Sequence, residues 1–100
     1  MIFFFGRGTI SPRGRLLNGN NSSFWLQANG QQFKITTAGL AQRQILDSIR
    51  DGETVYIMGY PEQNGKRVTI RPRIMLPERQ ADPTAMGALF NQILEAHTGR

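Results

Sequence analysis

Between residues 24 and 35 apolar and polar positions alternate. Phe24, Leu26 and Ala28 share one parity, Phe33 and Ile35 join them, and Trp25, Gln27 and Lys34 take the other. A period of two marks strands with one face on a core. Asn29-Gly30 between the two runs is the strongest short hairpin signal. A second hairpin is expected over residues 55–76, its turn at Pro61-Glu62-Gln63-Asn64-Gly65. In its first arm Val55 and Ile57 oppose Tyr56, Met58 and Tyr60. In its second, Val68, Ile70, Ile74 and Leu76 oppose Arg67, Arg71 and Arg73. Residues 2–10 form a further apolar run containing Gly6 and Gly8, and glycines inside a strand mark a bulge or a sharp bend. Residues 11–23, rich in Ser, Pro, Gly and Asn, read as a loop.

Two segments change period. Ala41, Ile45, Leu46 and Ile49 fall at helical spacing, which predicts a helix over 39–50 with Thr37 as N-cap and Gly52 as its stop. Met86, Leu89, Phe90, Ile93 and Leu94 repeat that spacing after Asp82, a good N-cap, and Pro83, a good first helical residue, with Gly99 placed to end the helix. Five short strands with a helix between the third and fourth is the order of the OB-fold, a small closed or nearly closed barrel in the all-β class. Closure accounts for bend glycines in the first strand, and Pro72 in the last strand must then sit at an edge or a bulge. The expected organisation is a barrel domain over 1–78, then a short linker and an amphipathic helix over 79–100.

One hundred residues make one domain. A chain of that length buries roughly two-thirds of its unfolded surface, enough for a core without staples. With no cysteine and only His97, disulfides, thiol nucleophiles and the usual nitrogen/sulfur zinc sites are out of reach, and no cofactor is expected. His97, near a chain end without an evident base, nucleophile or metal partner, reads as a helix C-terminal cation, so an enzyme is poorly supported. The apolar run 2–5 is too short for a signal segment, and no stretch approaches the ~20 residues a spanning helix needs, so a cytoplasmic protein without a membrane partner is the simplest reading.

Charge narrows the picture. Twelve Lys and Arg against seven Asp and Glu give +5, with ten arginines to two lysines and eleven of the twelve cations inside residues 7–79. Arginine's planar fork suits phosphate oxygens and stacks on bases. With Ile2, Phe4 and Ile10 turned inward, the outer surface of the barrel would collect Phe3, Phe5, Trp25, Tyr56 and Tyr60 among Arg7, Lys34, Arg67, Arg71 and Arg73. Aromatics among cations are what single-stranded nucleic acid needs, a π-face for each base and a cation for each phosphate. Arg13 and Arg15 in the 11–23 loop and Lys66 in the second hairpin turn would flank that surface. Each residue also has a plain structural role: core for Phe3 or Phe5, packing under the terminal helix for Trp25, rim positions for the tyrosines, edge protection for Arg67, Arg71 and Arg73, and solvated loop charge for Arg13, Arg15 and Lys66. The coincidence on one parity of several strands favours binding.

Residues 38–76 resemble the second half of bacterial and phage single-stranded-DNA-binding proteins. The shared marks are Leu40-Ala41 opening a helix, Gly52 after it, a strand from Val55 ending at Gly59, and Asn64-Gly65-Lys66-Arg67 leading into the last strand. Gly6-Arg7 and Pro12 are similar to that family's first strand, so the resemblance spans roughly 2–76. It implies a non-catalytic binder in which Trp25, Tyr56 and Tyr60 stack bases while Arg7, Lys34, Arg67, Arg71 and Arg73 hold phosphates. It implies single-stranded DNA in preference to RNA, no small-molecule substrate, and a homo-oligomer, dimer or tetramer. The hairpin at Asn29-Gly30 is shorter than the family's, and the terminal helix and Arg100 stand where the family carries a Gly-rich linker and acidic tail, as in a minimal relative of primosomal or mobile-element type. The alternative is an OB-type protein-interaction module docking through its C-terminal helix.

Overall fold

The computed structural model describes residues 3–11, 16–18, 21–37, 44 and 47–98. Six strands, β1 (Phe4–Ile10), β2 (Leu16–Asn18), β3 (Asn21–Ala28), β4 (Gln31–Thr37), β5 (Thr54–Asn64) and β6 (Arg67–Pro77), are followed by a 3-10 turn (Glu78–Gln80) and helix α1 (Pro83–His97). β1 pairs with β5 along most of its length and with β3 at its end, so the circuit β1-β5-β6-β4-β3 closes on itself. This is a closed five-stranded barrel with β2 added outside β3. The stretch read as a loop therefore contains a strand: Leu16, Leu17 and Asn18 pair with Ser23, Ser22 and Asn21. Asn18, Asn21, Ser22 and Ser23, polar residues that suggested a loop, belong to this ladder; Gly19 and Asn20 lie outside the described residues.

Closure depends on β1 changing partners over a few residues. At Gly8 a Cβ would lie 2.2 Å from the Gln27 carbonyl oxygen, so only glycine lets β1 approach β3 this closely. Even positions of β1 then face inward, and Ile10 joins Phe24, Leu26, Ile35, Val55 and Ile57 in the interior, all 0–1% exposed. Phe4 caps this interior, its ring centroid 4.8 Å from that of Phe33. The alternation expected for residues 24–35 is the one observed. Asn29 and Gly30, with φ of 54° and 75°, form the two-residue turn between β3 and β4.

The second hairpin departs from expectation in two ways. Its turn is Gly65-Lys66 alone, with Gly65 at φ 64°; Pro61, Glu62, Gln63 and Asn64 continue β5 and pair with Ile70, Thr69, Val68 and Arg67. The arm is thus longer than the sequence suggested. Its parity also changes along β6. Met58 pairs with Ile74 and Gly59 with Pro72, leaving Arg73 as the extra residue of a bulge. Ile70 points into the barrel, but beyond the bulge Met75 is interior while Ile74 and Leu76 lie outside. Val68, Ile70, Ile74 and Leu76 therefore do not share a face. Pro72 sits at the bulge, as a proline in this strand must, and Gly59 opposite has no room for a Cβ, which would come within 2.3 Å of the Arg71 carbonyl oxygen.

The expected helix over 39–50 lies largely outside the described residues. Gln44 and Asp47 are helical, and the Ser48 N–H donates to the Gln44 carbonyl at 3.3 Å. Thr37, expected to cap it, is the last residue of β4 and is buried. α1 begins as anticipated: the Asp82 carboxylate accepts from the Ala85 N–H at 2.8 Å and Pro83 occupies the first turn. Its apolar stripe divides. Leu89 and Ala96 are buried against Met58, with Met86 and Ile93 beside them, whereas Phe90 and Leu94 are 57% and 61% exposed.

Candidate nucleic-acid interface

The outer surface of the barrel falls into two regions, because strands opposite each other in a closed circuit cannot share a face. One region is the β3-β4 wall. Trp25 and Lys34 are cross-strand partners on its outer side, and both are half-buried. β4 pairs with β6 only at Lys34-Thr69 and Ile35-Ile70. The long β5-β6 arm leaves β4 beyond that point, and a groove of about 520 Å³ opens between them. Trp25, Gln32, Phe33, Lys34, Val68 and Ile70 line it. Val68 is 54% exposed although its parity is that of interior Ile70, because the arm carries it past the end of the barrel. The groove is an apolar floor with an indole wall, one amide and one ammonium.

The other region lies beneath and beside α1. Tyr56 and Tyr60, on the outer parity of β5, pack with Phe3, Ile74 and Leu76 against the Met58, Leu89 and Ala96 cluster. Phe5, 43% exposed, stacks on Tyr56 with ring centroids 6.4 Å apart. Arg7 reaches Glu78 of the 3-10 turn, Nε to Oε2 2.6 Å, and Glu78 first and Tyr56 second hold its guanidinium further toward the charged form than usual. Arg73 donates from Nε to Gln92 Oε1 of α1 at 2.7 Å. The single surface expected to gather Trp25 with both tyrosines, Arg7 and Arg73 is therefore split in two. Alternation correctly placed the tyrosines outside the barrel, but α1 then covers the surface they occupy.

Between the two regions Arg71 pairs with Glu62 on the same hairpin at 3.2 Å, both largely exposed. Lys66 sits in the exposed tip of that hairpin. Arg67 pairs with Asn64 through the backbone, and its side chain, like Arg13 and Arg15, lies outside the described residues. The residues that sequence reasoning missed are Gln32, Phe33, Val68 and Ile70. Gln32 shares the parity of Lys34 and was within reach of the alternation argument. The other three belong to the core parity, and the divergence of the arm from β4 leaves Val68 exposed and Phe33 half-buried at the groove while Ile70 forms its buried floor.

A second hollow of about 530 Å³, near the start of β5, is polar and internally satisfied. Arg79 pairs with Glu53 and donates to the Ser48 carbonyl at 2.8 Å, and the Arg50 N–H donates to Glu53 Oε2 at 2.8 Å. The Arg50 N–H and the Arg79 guanidinium hold the Glu53 carboxyl below its usual range against the opposing effect of burial. Arg79 thereby ties the 3-10 turn to the segment entering β5. Among the described residues no helix is long and apolar enough to cross a membrane.

Several solved structures have a similar fold. The second single-stranded-DNA-binding protein of Mycobacterium smegmatis superposes with a TM-score of 0.61 at 21% identity, over 77% of this chain and 88% of that one. The fold is an OB barrel. A replication protein A heterotrimer bound to single-stranded DNA contains a chain matching at 0.63 with 16% identity, over 97% of this chain and 72% of that one. The Stn1-Ten1 complex of S. pombe matches at 0.67 with 11% identity, over 97% and 71%. No protein-family model and no curated sequence matches the chain. In OB barrels the wall formed by the second and third barrel strands, here β3 and β4, is the usual ligand face, and it is on this wall that the groove opens.

Proposed function

We propose that the protein is a non-catalytic binder of single-stranded nucleic acid, DNA in preference to RNA, and that the strand crosses the β3-β4 wall. The observation that carries this is the pairing of Trp25 with Lys34 at the mouth of an apolar groove. An indole face accepts any base, and the adjacent ammonium neutralises a phosphate without reading sequence. Lys66 and Arg71 on the β5-β6 arm extend the cationic track; Arg13 and Arg15, outside the described residues, remain candidates for further phosphate contacts. Neighbours of the same fold, a single-stranded-DNA-binding protein and a replication protein A complex bound to single-stranded DNA, support the reading. Arg7, Arg73, Tyr56 and Tyr60 have a smaller part in it, since their partners belong to α1 and the 3-10 turn.

Charge reversal separates this from a scaffold role. With a labelled dT oligomer, Lys34→Glu and Arg71→Glu should each weaken binding at least tenfold, while Arg73→Glu on the helix side changes it less than threefold. Equal loss at all three positions would mean a diffuse polyanion effect and no groove. No binding by the unaltered protein at low salt would leave the interaction-module reading, with the exposed face of α1 as its surface. An rU oligomer of equal length ranks RNA against DNA.

A further inference from the structure

The gap between β4 and the β5-β6 arm holds hydrogen-bonding groups as well as a stacking face. In a two-residue hairpin the closing pair, here Ala28 and Gln31, is hydrogen-bonded, and bonded and non-bonded pairs then alternate along the ladder. Gln31, Phe33 and Ile35 therefore direct their backbone groups to β3, while Gln32 and Lys34 turn theirs toward β6. Lys34 meets β6 opposite Thr69, where the parallel ladder begins. Two residues earlier, Gln32 presents its N–H and C=O to the groove, with no strand to receive them among the described residues. Its exposed side-chain carboxamide adds a further donor and acceptor on the same bank. Against these stand exposed Val68, buried Ile70 and half-buried Phe33, none with a polar side-chain atom. The groove thus sets one hydrogen-bonding edge beside an apolar floor.

We infer that the groove is a thymine subsite, with the C5 methyl on Val68, Ile70 and Phe33 and the O4 and N3–H edge at Gln32. The inference rests on the proposed single-strand binding and deepens it by naming the base and the source of the DNA preference. Thymine carries an apolar substituent beside a hydrogen-bonding edge. Its methyl adjoins O4, so a ring lowered with the methyl on the floor brings O4 and then N3–H to the bank where Gln32 stands. O4 accepts from the Gln32 amide, and N3–H donates to the Gln32 carbonyl. Trp25 covers the ring face, and Lys34 stays with the phosphate. Uracil offers the same edge but no group for the floor. Cytosine lacks the methyl and carries an N4 donor in place of O4. Adenine suits a glutamine amide through N6 and N7, but it too brings nothing apolar to the floor. The other contacts along the strand stay indifferent to sequence. The preference for DNA then arises chiefly from the base, because RNA carries uracil, and less from the sugar.

Four labelled oligomers of equal length separate methyl from sugar: dT, dU, rU and the 5-methyl form of rU. Burying one methyl is worth about fourfold in affinity, so by anisotropy at fixed salt dT over dU, and methylated over plain rU, should each show that ratio. The step from dU to rU should be smaller. A methyl also strengthens stacking on any indole, and Val68→Ser distinguishes that from contact with the floor. The variant removes the exposed apolar group of the floor, so its ratio of dT to dU affinity should fall below about twofold. Val68 is exposed on the arm, and an unchanged thermal melt checks that the variant is folded. Gln32→Glu keeps an acceptor and loses the donor. It should reverse the order of dT over dC expected of the unaltered protein, because a carboxylate accepts from cytosine N4. Equal affinity for dT and dU, a ratio that persists in Val68→Ser, or an order of dT and dC that survives Gln32→Glu would each overturn the inference and leave the proposed binding standing. Failure of the unaltered protein to bind any of the oligomers would overturn both.

Discussion

At the level of single residues, Trp25 has its bland and functional roles separated by geometry. Packing beneath the terminal helix would have buried it, yet it stands on the β3-β4 wall, away from the α1 cluster, with Lys34 beside it. Stacking of one base on an aromatic is worth about 1–3 kcal/mol. Trp25→Ala should therefore weaken dT binding by roughly ten- to a hundredfold while leaving the melting temperature within a few degrees, as fluorescence anisotropy and a thermal melt would show. Gly8 is a structural counterpart. A methyl group 2.2 Å from the Gln27 carbonyl must move one strand, and overpacking of that kind costs about 1–3 kcal/mol. Gly8→Ala should lower the denaturation midpoint by a corresponding amount in a urea titration. Glu53 supplies a pH dependence. Its carboxyl titrates below the usual 4.5 in the folded protein, so its contribution is complete above that value and is lost as pH falls through the lower, folded-state value. Glu53→Gln should flatten the fall in melting temperature below about pH 4.5 and leave the neutral-pH dependence unchanged.

At the level of elements, what could be read from the sequence depended on whether a pattern ran uninterrupted. The β3-β4 hairpin pairs without a break from Ser22-Thr37 to Ala28-Gln31, so alternation alone sorted Phe24, Leu26 and Ile35 from Trp25 and Lys34. In β6 the same rule failed at Arg73, because one extra residue reverses every side chain beyond it. Pro72 and Gly59 signalled a bulge somewhere in the hairpin, but the residue it added is settled by pairing with β5, which no single strand's pattern contains. The terminal helix was legible in its cap and in its apolar spacing. Its two-sidedness was not, because the direction of the barrel relative to the helix decides which apolar residues are covered. The division is testable. Leu89→Ala removes a buried side chain from the barrel contact and should cost about 2–5 kcal/mol in chemical denaturation. Leu94→Ala, 61% exposed, should cost little in the monomer.

At the level of the whole molecule, the excess of arginine is a weaker indication of polyanion binding than composition suggests. Arg7, Arg71 and Arg79 each pair with a glutamate, and Arg73 reaches α1. Exposed pairs such as Arg71-Glu62 are worth ~0–1 kcal/mol and exchange readily for phosphate, whereas Arg79 is tied to both Glu53 and Ser48. In the proposed function a net charge of +5 would draw a strand toward the surface, and the groove would hold it. Salt dependence should accordingly reflect a few contacts. Each phosphate released contributes a slope of about 0.7 in log affinity against log salt for a single strand, and Lys34→Ala should reduce the slope by about that amount.

The central claim is that Trp25 meets bases in the groove between the β3-β4 wall and the β5-β6 arm. Trp25 is the chain's only tryptophan, so its fluorescence reports on that place alone. Titration with a dT oligomer at low and then moderate salt should quench the emission to saturation, with an affinity that falls as salt rises. A strand that binds by anisotropy while the Trp25 emission stays constant would contradict the account and move the interface away from this groove.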